Sequence, residues 1–250
     1  MPPCRQRALN GVKLSSVSPE KKTQQRKRPA PKQNRTAARL DREQVAAAGL
    51  RLLNETGLEG LTLRRIATEL NVQAPALYWH FANKQALLDE MATRMTAELY
   101  DDTPDWPEDA GWEEGLTTHL RALRRTLLRY RDGAKVYSGT RLTNTRHGEG
   151  QERYLRRMVD AGFAPSAAAR AFFVGYSYTV GFVVEEQGVH PMPGEQTPGF
   201  DLAERAERMA AYPLAAQIGA DLFADWDTRF EEGLTVLVAG LRQTVLADGS

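Results

Sequence analysis

The sequence predicts an all-α protein in which a small helix-turn-helix domain precedes a larger helical bundle. The chain has 250 residues and is 42% hydrophobic, which is enough to bury a sizeable core. From residue 41 onward, apolar residues recur at spacings of three, four and seven, as on one face of a helix, and no segment alternates apolar and polar residues as a strand does. The proline-containing segment 102–109 marks the boundary between the two predicted domains, residues 40–101 and 102–250.

The first 39 residues predict a disordered basic arm rather than part of either domain. Residues 1–40 contain eleven Lys or Arg and one acid, Glu20, although the whole chain carries a formal net charge of only +1. The arm, residues 1–39, is rich in Pro, Gln and Ser without an apolar period, so it cannot bury enough surface to offset its ordering entropy. Such an arm could attract DNA phosphates or enter a minor groove, or be a solvated tail that takes no part in recognition.

Two short helices joined by a tight turn follow the first helix of the small domain. Thr62 fits the N-cap of the first of these, whose apolar side chains from residue 63 to 70 lie at helical spacing. Pro75 lies near the first position of the second, where the missing N–H of proline costs nothing. Leu77 and Phe81, four residues apart, predict the buried face of this second helix.

The opposite face of that helix carries three consecutive rings, Tyr78, Trp79 and His80. A buried core does not explain such a run on a helix of barely two turns. In a helix-turn-helix, the second helix enters the major groove of DNA, so we predict that segment 61–80 is a DNA-reading hairpin. The next helix begins near Lys84, which would offer a phosphate both a cation and a helix N-terminus.

The sequence of the larger domain predicts a helical bundle that one chain alone does not complete. Its predicted helices cover residues 112–127, 149–161, 166–187 and 226–245, with a short helix or turn at 136–141 and a loop at 188–200. The helix over 166–187 is apolar almost all round, and the last helix has a continuous apolar stripe. One chain has little left to cover both, which favours a homodimer, although a stripe that serves only the monomer core is the alternative.

The expected compartment is the cytoplasm, with the DNA. The only cysteine, Cys4, excludes an internal disulfide and gives no sign of an oxidising compartment. The longest nearly apolar run, Val174 to Val184, falls well short of the roughly 20 residues that cross a bilayer, so we expect no membrane partner.

Aromatic and polar side chains are concentrated on the otherwise apolar helices of the larger domain, which is typical of a pocket for a drug-sized molecule. The candidates are His119, Tyr137, Arg141, Tyr154, Phe172, Phe173, Tyr176, Tyr178 and Glu185. Each ring taken singly is more often a core residue than a ligand contact. No metalloprotease, phosphate-loop or zinc-cluster spacing is present, so we predict no catalytic residue, no cofactor and no metal site.

Several motifs resemble the tetracycline-repressor (TetR) family. LLNETGLEGLTLRRIATEL at 52–70 and PALYWHFANKQALLD at 75–89 resemble the N-terminal domain of that family. YRDGAKVYSGTR at 130–141 and TVGFVVEEQ at 179–187 are similar to the ligand-binding half of its drug-binding members. The resemblance implies a homodimer whose subunits pack through a four-helix bundle.

The resemblance also implies roles for individual residues on the DNA side. Arg64 matches an arginine that reads a guanine, whereas Ala74 and Leu63 replace two other residues at corresponding positions, so the operator should differ. Pattern and resemblance together predict DNA contacts from Thr62, Arg64, Gln73, Pro75, Ala76, Tyr78, Trp79, His80 and Lys84.

On the ligand side, the resemblance implies that Thr140, Arg141 and Glu185 occupy positions that serve a drug and its magnesium. Tyr137 stands where the metal-binding histidine would be, and a phenol is a poor Mg²⁺ ligand at neutral pH because its proton has a pKa of about 10. His119 and Leu123 replace two other drug contacts. We therefore expect a different bulky effector, aromatic or polyketide-like.

The function that these observations predict is a homodimeric, ligand-responsive transcriptional repressor without catalytic activity. Its partners would be double-stranded operator DNA and a small-molecule effector. Two alternatives belong to other classes: an all-α enzyme that modifies a small molecule, for which Glu185 with His119 is the only pair worth testing, and an architectural protein that binds DNA non-specifically through its arm.

Overall fold

The computed structural model describes residues 40–244, and this part of the chain contains twelve α-helices and no β-strand. The predicted all-α fold class is confirmed. The predicted arm, residues 1–39, lies outside the described residues. The first four helices are α1 (Arg42–Gly60), α2 (Leu63–Glu69), α3 (Ala74–Tyr78) and α4 (Lys84–Asp102). The others are α5 (Trp112–Leu128), α6 (Gly133–Tyr137), α7 (His147–Asp160), α8 (Pro165–Val189), α9 (Leu202–Arg208), α10 (Pro213–Gln217), α11 (Gly219–Phe223) and α12 (Trp226–Thr244).

Side-chain caps fix where the helices of the small domain begin. Asp41 and Gln44 form a capping box at the start of α1. The Thr62 hydroxyl accepts a hydrogen bond from the Arg65 amide at 3.2 Å at the start of α2. Near the end of α1, Gly57 adopts φ +67°, which interrupts the helix and lets the chain turn toward α2.

The small domain and the larger bundle share one hydrophobic core. It extends from α1 to α8 and includes Leu53, Leu99, Leu127 and Val183. Helix α4 supplies Leu99 near its C-terminal end and contacts α1, α5 and α6. A movement of α4 must therefore be felt by both parts of the protein, because close-packed cores do not deform continuously.

Helix α8 is the central helix of the bundle but has one uncovered side. It has 25 residues, one more at its start and two more at its end than predicted, and packs against α5, α7 and α12. By length and composition, α8 could cross a membrane, whereas the run Val174–Val184 alone is too short. Core helices of soluble proteins meet the same criterion. Phe173 and Val174 are 65% and 48% exposed, so one chain leaves this side of the helix uncovered.

An ion cluster that the sequence patterns did not predict joins α5, α8 and α12; its Arg124 and Glu186 side chains are largely buried, whereas Asp227 is exposed. The Arg124 guanidinium donates to both oxygens of Glu186, at 2.9 and 2.6 Å, and to Asp227 at 2.7 Å. Its charge lies 5.0 Å from the centre of the Phe230 ring. These partners compensate the cost of burying the charge, so the cluster fixes how the three helices meet.

Helices α9, α10 and α11 were not predicted. They have seven, five and five residues and pack mainly against one another. Elements of this length are too short to show a helical period in the sequence. Their exposed apolar side chains include Tyr212, Leu214 and Ile218.

Candidate nucleic-acid interface and ligand cavity

Helix α3 is held rigidly against the small domain by two residues that are fully buried. Leu77 and Phe81 are both 0% exposed. Arg42 further fixes the end of this helix, because its guanidinium lies 4.5 Å from the centre of the Phe81 ring and donates to the His80 carbonyl. The short helix therefore presents its outer side in one orientation.

The outer side of α3 carries large rings in contact with solvent. Trp79 is 89% exposed and Tyr78 is 57% exposed. Gln73 and Pro75 are also exposed, and Ala76 and His80 are partly buried. An exposed tryptophan beside a firmly anchored helix marks a surface that binds something, because such area is normally buried.

The two predicted contacts on α2 lie on its exposed side. Thr62 and Arg64 are both exposed. The Thr62 hydroxyl caps α2 with one of its two lone pairs. Its other lone pair and its proton remain available for a partner. The Arg64 guanidinium makes no hydrogen bond or ion pair within residues 40–244, so it is free to bind a base or a phosphate.

Lys84, which was predicted to contact a phosphate, has a hydrogen-bond partner within the protein. Its ammonium donates to the Leu58 carbonyl at 2.6 Å, between the kinked end of α1 and the start of α4. Asn83 caps α4 by accepting from the Ala86 amide at 2.9 Å. An ammonium has three donors, so a phosphate contact would use those that Leu58 leaves.

Hydrogen bonds tether the end of α1 to the turn between α5 and α6. The Asn54 side chain accepts from the Arg131 amide at 2.9 Å, and the Arg131 side chain donates to the Asn54 carbonyl at 2.9 Å. Asp132 accepts from the Leu58 amide at 2.9 Å. The sequence patterns did not indicate that this turn connects the two parts of the protein.

A cavity of about 100 Å³ lies where α4, α5, α7 and α8 meet, and we call it the aromatic cavity. Three predicted ligand contacts line it: His119, Tyr154 and Phe172. The His119 ring centre lies 5.6 Å from that of Phe172, which in turn lies 5.3 Å from that of Tyr154.

Two further rings of the aromatic cavity were missed. Tyr100, near the end of α4, lies 6.0 Å from the His119 ring, and Trp106 lies 6.2 Å from the Tyr154 ring. Trp106 belongs to the proline-containing segment that was interpreted only as a domain boundary. Because Trp106 lies between two prolines, no helical period could indicate its role. A tryptophan in a predicted linker is nevertheless a signal that could have pointed to the cavity.

His119 and Tyr154, two polar side chains among the rings of the aromatic cavity, are uncharged. Burial lowers the pKa of His119 to about 4, so its imidazole is neutral at physiological pH. Burial also raises the pKa of Tyr154, whose hydroxyl has no hydrogen-bond partner in the described part of the chain. A buried hydroxyl without a partner is unusual, and a ligand oxygen or nitrogen would satisfy it.

The other predicted ligand contacts do not line the aromatic cavity. Leu123 is 1% exposed inside the core, and Thr140 bonds the Tyr137 carbonyl. Phe173, Arg141 and Glu185 are exposed to solvent. Tyr176 packs against Tyr137 and Phe173.

Tyr178 lies against α12, where its ring stacks on Phe230 at 5.5 Å. Tyr137 bonds the Thr96 hydroxyl at 3.0 Å, and burial raises its pKa to about 12. A phenolate ligand for a metal is thus unavailable at neutral pH. Within residues 40–244, no three His, Cys, Asp or Glu side chains are grouped as metal ligands would be.

Family models of known proteins match both the part of the chain that contains α3 and the part that contains the aromatic cavity. Residues 45–91 match the family model described as "Bacterial regulatory proteins, tetR family". Residues 103–245 match the model described as "Tetracyclin repressor-like, C-terminal domain". Together the two models cover most of the described chain.

Individual relatives resemble the chain over nearly their whole length. It is 40% identical over 207 residues to the class A tetracycline repressor from transposon 1721 of Escherichia coli, covering 81% of this chain and 91% of that one. ActR of Streptomyces coelicolor, solved in complex with actinorhodin, has 25% identity and a TM-score of 0.68 over 81% of this chain and 97% of that one. BioQ, solved with its double-stranded DNA operator, has 30% identity and a TM-score of 0.53 over 81% and 98%.

Proposed function

Since the chain belongs to the TetR family and is a transcriptional regulator rather than an enzyme, we propose that it acts as a homodimeric repressor which a small aromatic, polyketide-like molecule releases from its operator. The proposal places the protein in the cytoplasm and needs no cofactor or metal. The observation that carries it is the pair of exposed rings, Tyr78 and Trp79, on a helix anchored by the fully buried Leu77 and Phe81. A groove of DNA would cover those rings. DNA as the partner is supported by BioQ, which was solved with its double-stranded operator.

The exposed apolar surface of the bundle supports the homodimer. Phe173 and Val174 on α8 and Val236 on α12 are 65%, 48% and 73% exposed. A second copy of the chain placed by two-fold symmetry would bury both faces at once. Two small domains then reach half-sites about 34–36 Å apart on one side of the duplex.

Tyr100 supports a coupling between effector and operator. It lines the aromatic cavity near one end of α4, and the other end of α4 is bonded to the small domain through Lys84. An effector that pushes on Tyr100 therefore pushes on the helix that packs against α1 of the small domain. A coupling free energy of about 1–3 kcal/mol would change operator affinity about 5- to 150-fold, and a near-complete switch needs about 5.5 kcal/mol.

The test is selection of bound DNA from a random pool, repeated with Arg64→Ala. We expect a two-fold symmetric site, and the variant should lose preference at one base pair in each half-site, a cost of about 1–3 kcal/mol per contact. Arg156→Ala is the control, because Arg156 is exposed on α7 of the bundle and its removal takes away the same charge. An unchanged preference in Arg64→Ala would refute the assigned role.

The two alternatives are separated by simple observations. The enzyme alternative needed Glu185 beside His119, but Glu185 is exposed and does not line the aromatic cavity. The architectural alternative requires the arm, residues 1–39, for DNA binding. Deleting residues 1–39 should leave operator specificity intact and reduce the dependence of affinity on salt, whereas an architectural protein would lose binding altogether.

A further inference from the structure

A second cavity adjoins the aromatic cavity, and we call it the polar cavity. Its volume is about 280 Å³, and its own lining includes Asp101, Asn144, Arg146, His147 and Glu149. Tyr100, Gly150 and Arg153 line both cavities and form the wall between them. Pockets for drug-sized molecules have volumes of about 300–1,000 Å³. Neither cavity reaches that range alone, but the two combined do.

The wall between the cavities depends on one ring and one glycine. The Tyr100 ring lies so close to Gly150 that a methyl group at that position would collide with it. A rotation of this ring would connect the two cavities. A molecule that occupies both must therefore displace Tyr100, which lies on α4.

The polar cavity combines hydrogen-bond donors and acceptors without an excess of charge. Arg146 and Arg153 are balanced by Asp101 and Glu149. Arg146, Asp101 and Glu149 form no ion pair within the described range, and the partner of Arg153 is the almost fully exposed Asp105 at 3.4 Å. The buried Nδ1 atom of His147 also has no hydrogen-bond partner among residues 40–244.

This composition suits hydroxyl groups. A hydroxyl both donates and accepts, so several of them can satisfy guanidinium donors and carboxylate acceptors together. A charge of either sign on the ligand has no net advantage here, because attraction to one pair of charged side chains is offset by repulsion from the other pair. In the aromatic cavity, the unpartnered Tyr154 hydroxyl needs a single polar atom among rings.

We propose that the effector has two parts: a flat aromatic body in the aromatic cavity, hydrogen-bonded to Tyr154, and a polyhydroxylated appendage such as a sugar in the polar cavity. This inference rests on the proposed function and specifies the ligand of the same site. The appendage holds Tyr100 away from Gly150, which gives the sugar-bearing form more influence on α4 than the bare aromatic body.

The test compares three probes on the full-length protein by titration calorimetry: emodin, a trihydroxyanthraquinone; its O-glucoside; and emodic acid, which carries a carboxylate. The glucoside should bind about tenfold more tightly than emodin, as one or two additional net hydrogen bonds would produce. Arg146→Met and Glu149→Leu should each reduce this advantage severalfold. Tyr154→Phe should weaken emodin and glucoside equally.

Arg156→Met is the matched control, because Arg156 is exposed on α7 and lines neither cavity. It should keep the full advantage of the glucoside. Equal binding of emodin and glucoside, an advantage that survives both polar-cavity variants, tighter binding of emodic acid, or no binding of any probe would each overturn the two-part ligand. Operator binding by the ligand-free protein, measured on the same sample, tests the proposed function separately.

Discussion

Neighbouring residues on α3 differ in exposure because successive side chains on a helix point about 100° apart. Leu77 is fully buried, whereas Trp79 is 89% exposed. The first side chain therefore contributes to the free energy of unfolding, and the second is available to a partner. The spacing of Leu77 and Phe81 was sufficient to predict this division from the sequence.

Alanine substitutions at these two positions should separate stability from DNA binding. Leu77→Ala should lower the free energy of unfolding by about 2–5 kcal/mol, because it leaves a cavity in the core. Trp79→Ala should change that free energy by less than about 0.5 kcal/mol but weaken operator binding at least tenfold. Urea unfolding and fluorescence anisotropy with a selected operator measure the two quantities. Full operator affinity in Trp79→Ala would show that this ring does not meet DNA.

His119 should make stability depend on pH. Its pKa is lowered from 6.5 to about 4 by burial, so between these values the unfolded state binds a proton that the folded state does not. Stability is therefore full above about pH 6.5 and falls as the pH drops toward 4, by roughly 1.4 kcal/mol per unit. From pH 7 to pH 5 we expect a loss of about 2 kcal/mol from this group.

The measurement is urea unfolding of wild type and His119→Gln at pH 7 and pH 5. The variant cannot take up a proton there, so its stability should fall by about 2 kcal/mol less than that of the wild type over the same interval. All other titrating groups are common to the two proteins and cancel in the difference. Equal losses would mean that His119 is not buried in its neutral form.

The angle of about 100° between successive residues of a helix also explains why the predicted ligand contacts do not all line one cavity. Phe172 and Tyr178 are six residues apart on α8, which places them about 120° apart around the helix. Phe172 lines the aromatic cavity, and Tyr178 faces α12 instead. A cluster of aromatic residues in a sequence thus identifies the helix that carries a pocket, but only the helical period selects which rings share it.

Among the elements, the tether between α1 and the turn before α6 connects the operator-binding part to the bundle. Asn54→Ala removes the acceptor of the Arg131 amide and a donor to the Arg129 carbonyl, on a helix that tolerates alanine well. The Arg131 amide should then exchange with solvent faster, as should that of Leu58, which the tether holds near Asp132. Hydrogen exchange followed by mass spectrometry of the peptides measures both.

Removal of a helix cap elsewhere in the protein is the control for Asn54→Ala. Asp201→Ala removes the acceptor of the Ala203 and Glu204 amides at the start of α9, far along the chain from the tether. It should accelerate exchange in α9 and leave Arg131 and Leu58 protected. If Asn54→Ala also leaves these two amides protected, the end of α1 is held by packing and not by the tether.

Elements were predictable where the sequence carries a period or a cap. The capping box at Asp41 and the caps at Thr62 and Asn83 fixed three helix starts, and α5 follows from a buried stripe that begins at Trp112. Helix α9 has a cap, Asp201, but α9 to α11 have no long period, and Gly219 is their only buried residue. The Arg124 cluster could not be predicted, because its partners lie 62 and 103 residues away and only the fold brings them together.

At the scale of the whole molecule, the uncovered sides of α8 and α12 require a second copy if the proposed function is correct. In a two-fold interface each substitution occurs twice, so one added charge per chain places two charges in the same apolar contact. Burying an unpaired carboxylate costs several kcal/mol. Substitution at a position already exposed in the single chain does not disturb its own core.

Val236→Glu should therefore convert the dimer to monomers without unfolding the chain, because Val236 is 73% exposed on α12. Val159→Glu is the matched control: Val159 is 41% exposed on α7, outside the proposed interface, and should stay dimeric. Light scattering at micromolar concentration gives the mass of each variant. The monomer should also lose most of its operator affinity, because one small domain binds only one half-site. A Val236→Glu protein that remains dimeric would exclude this face of α12 from the interface.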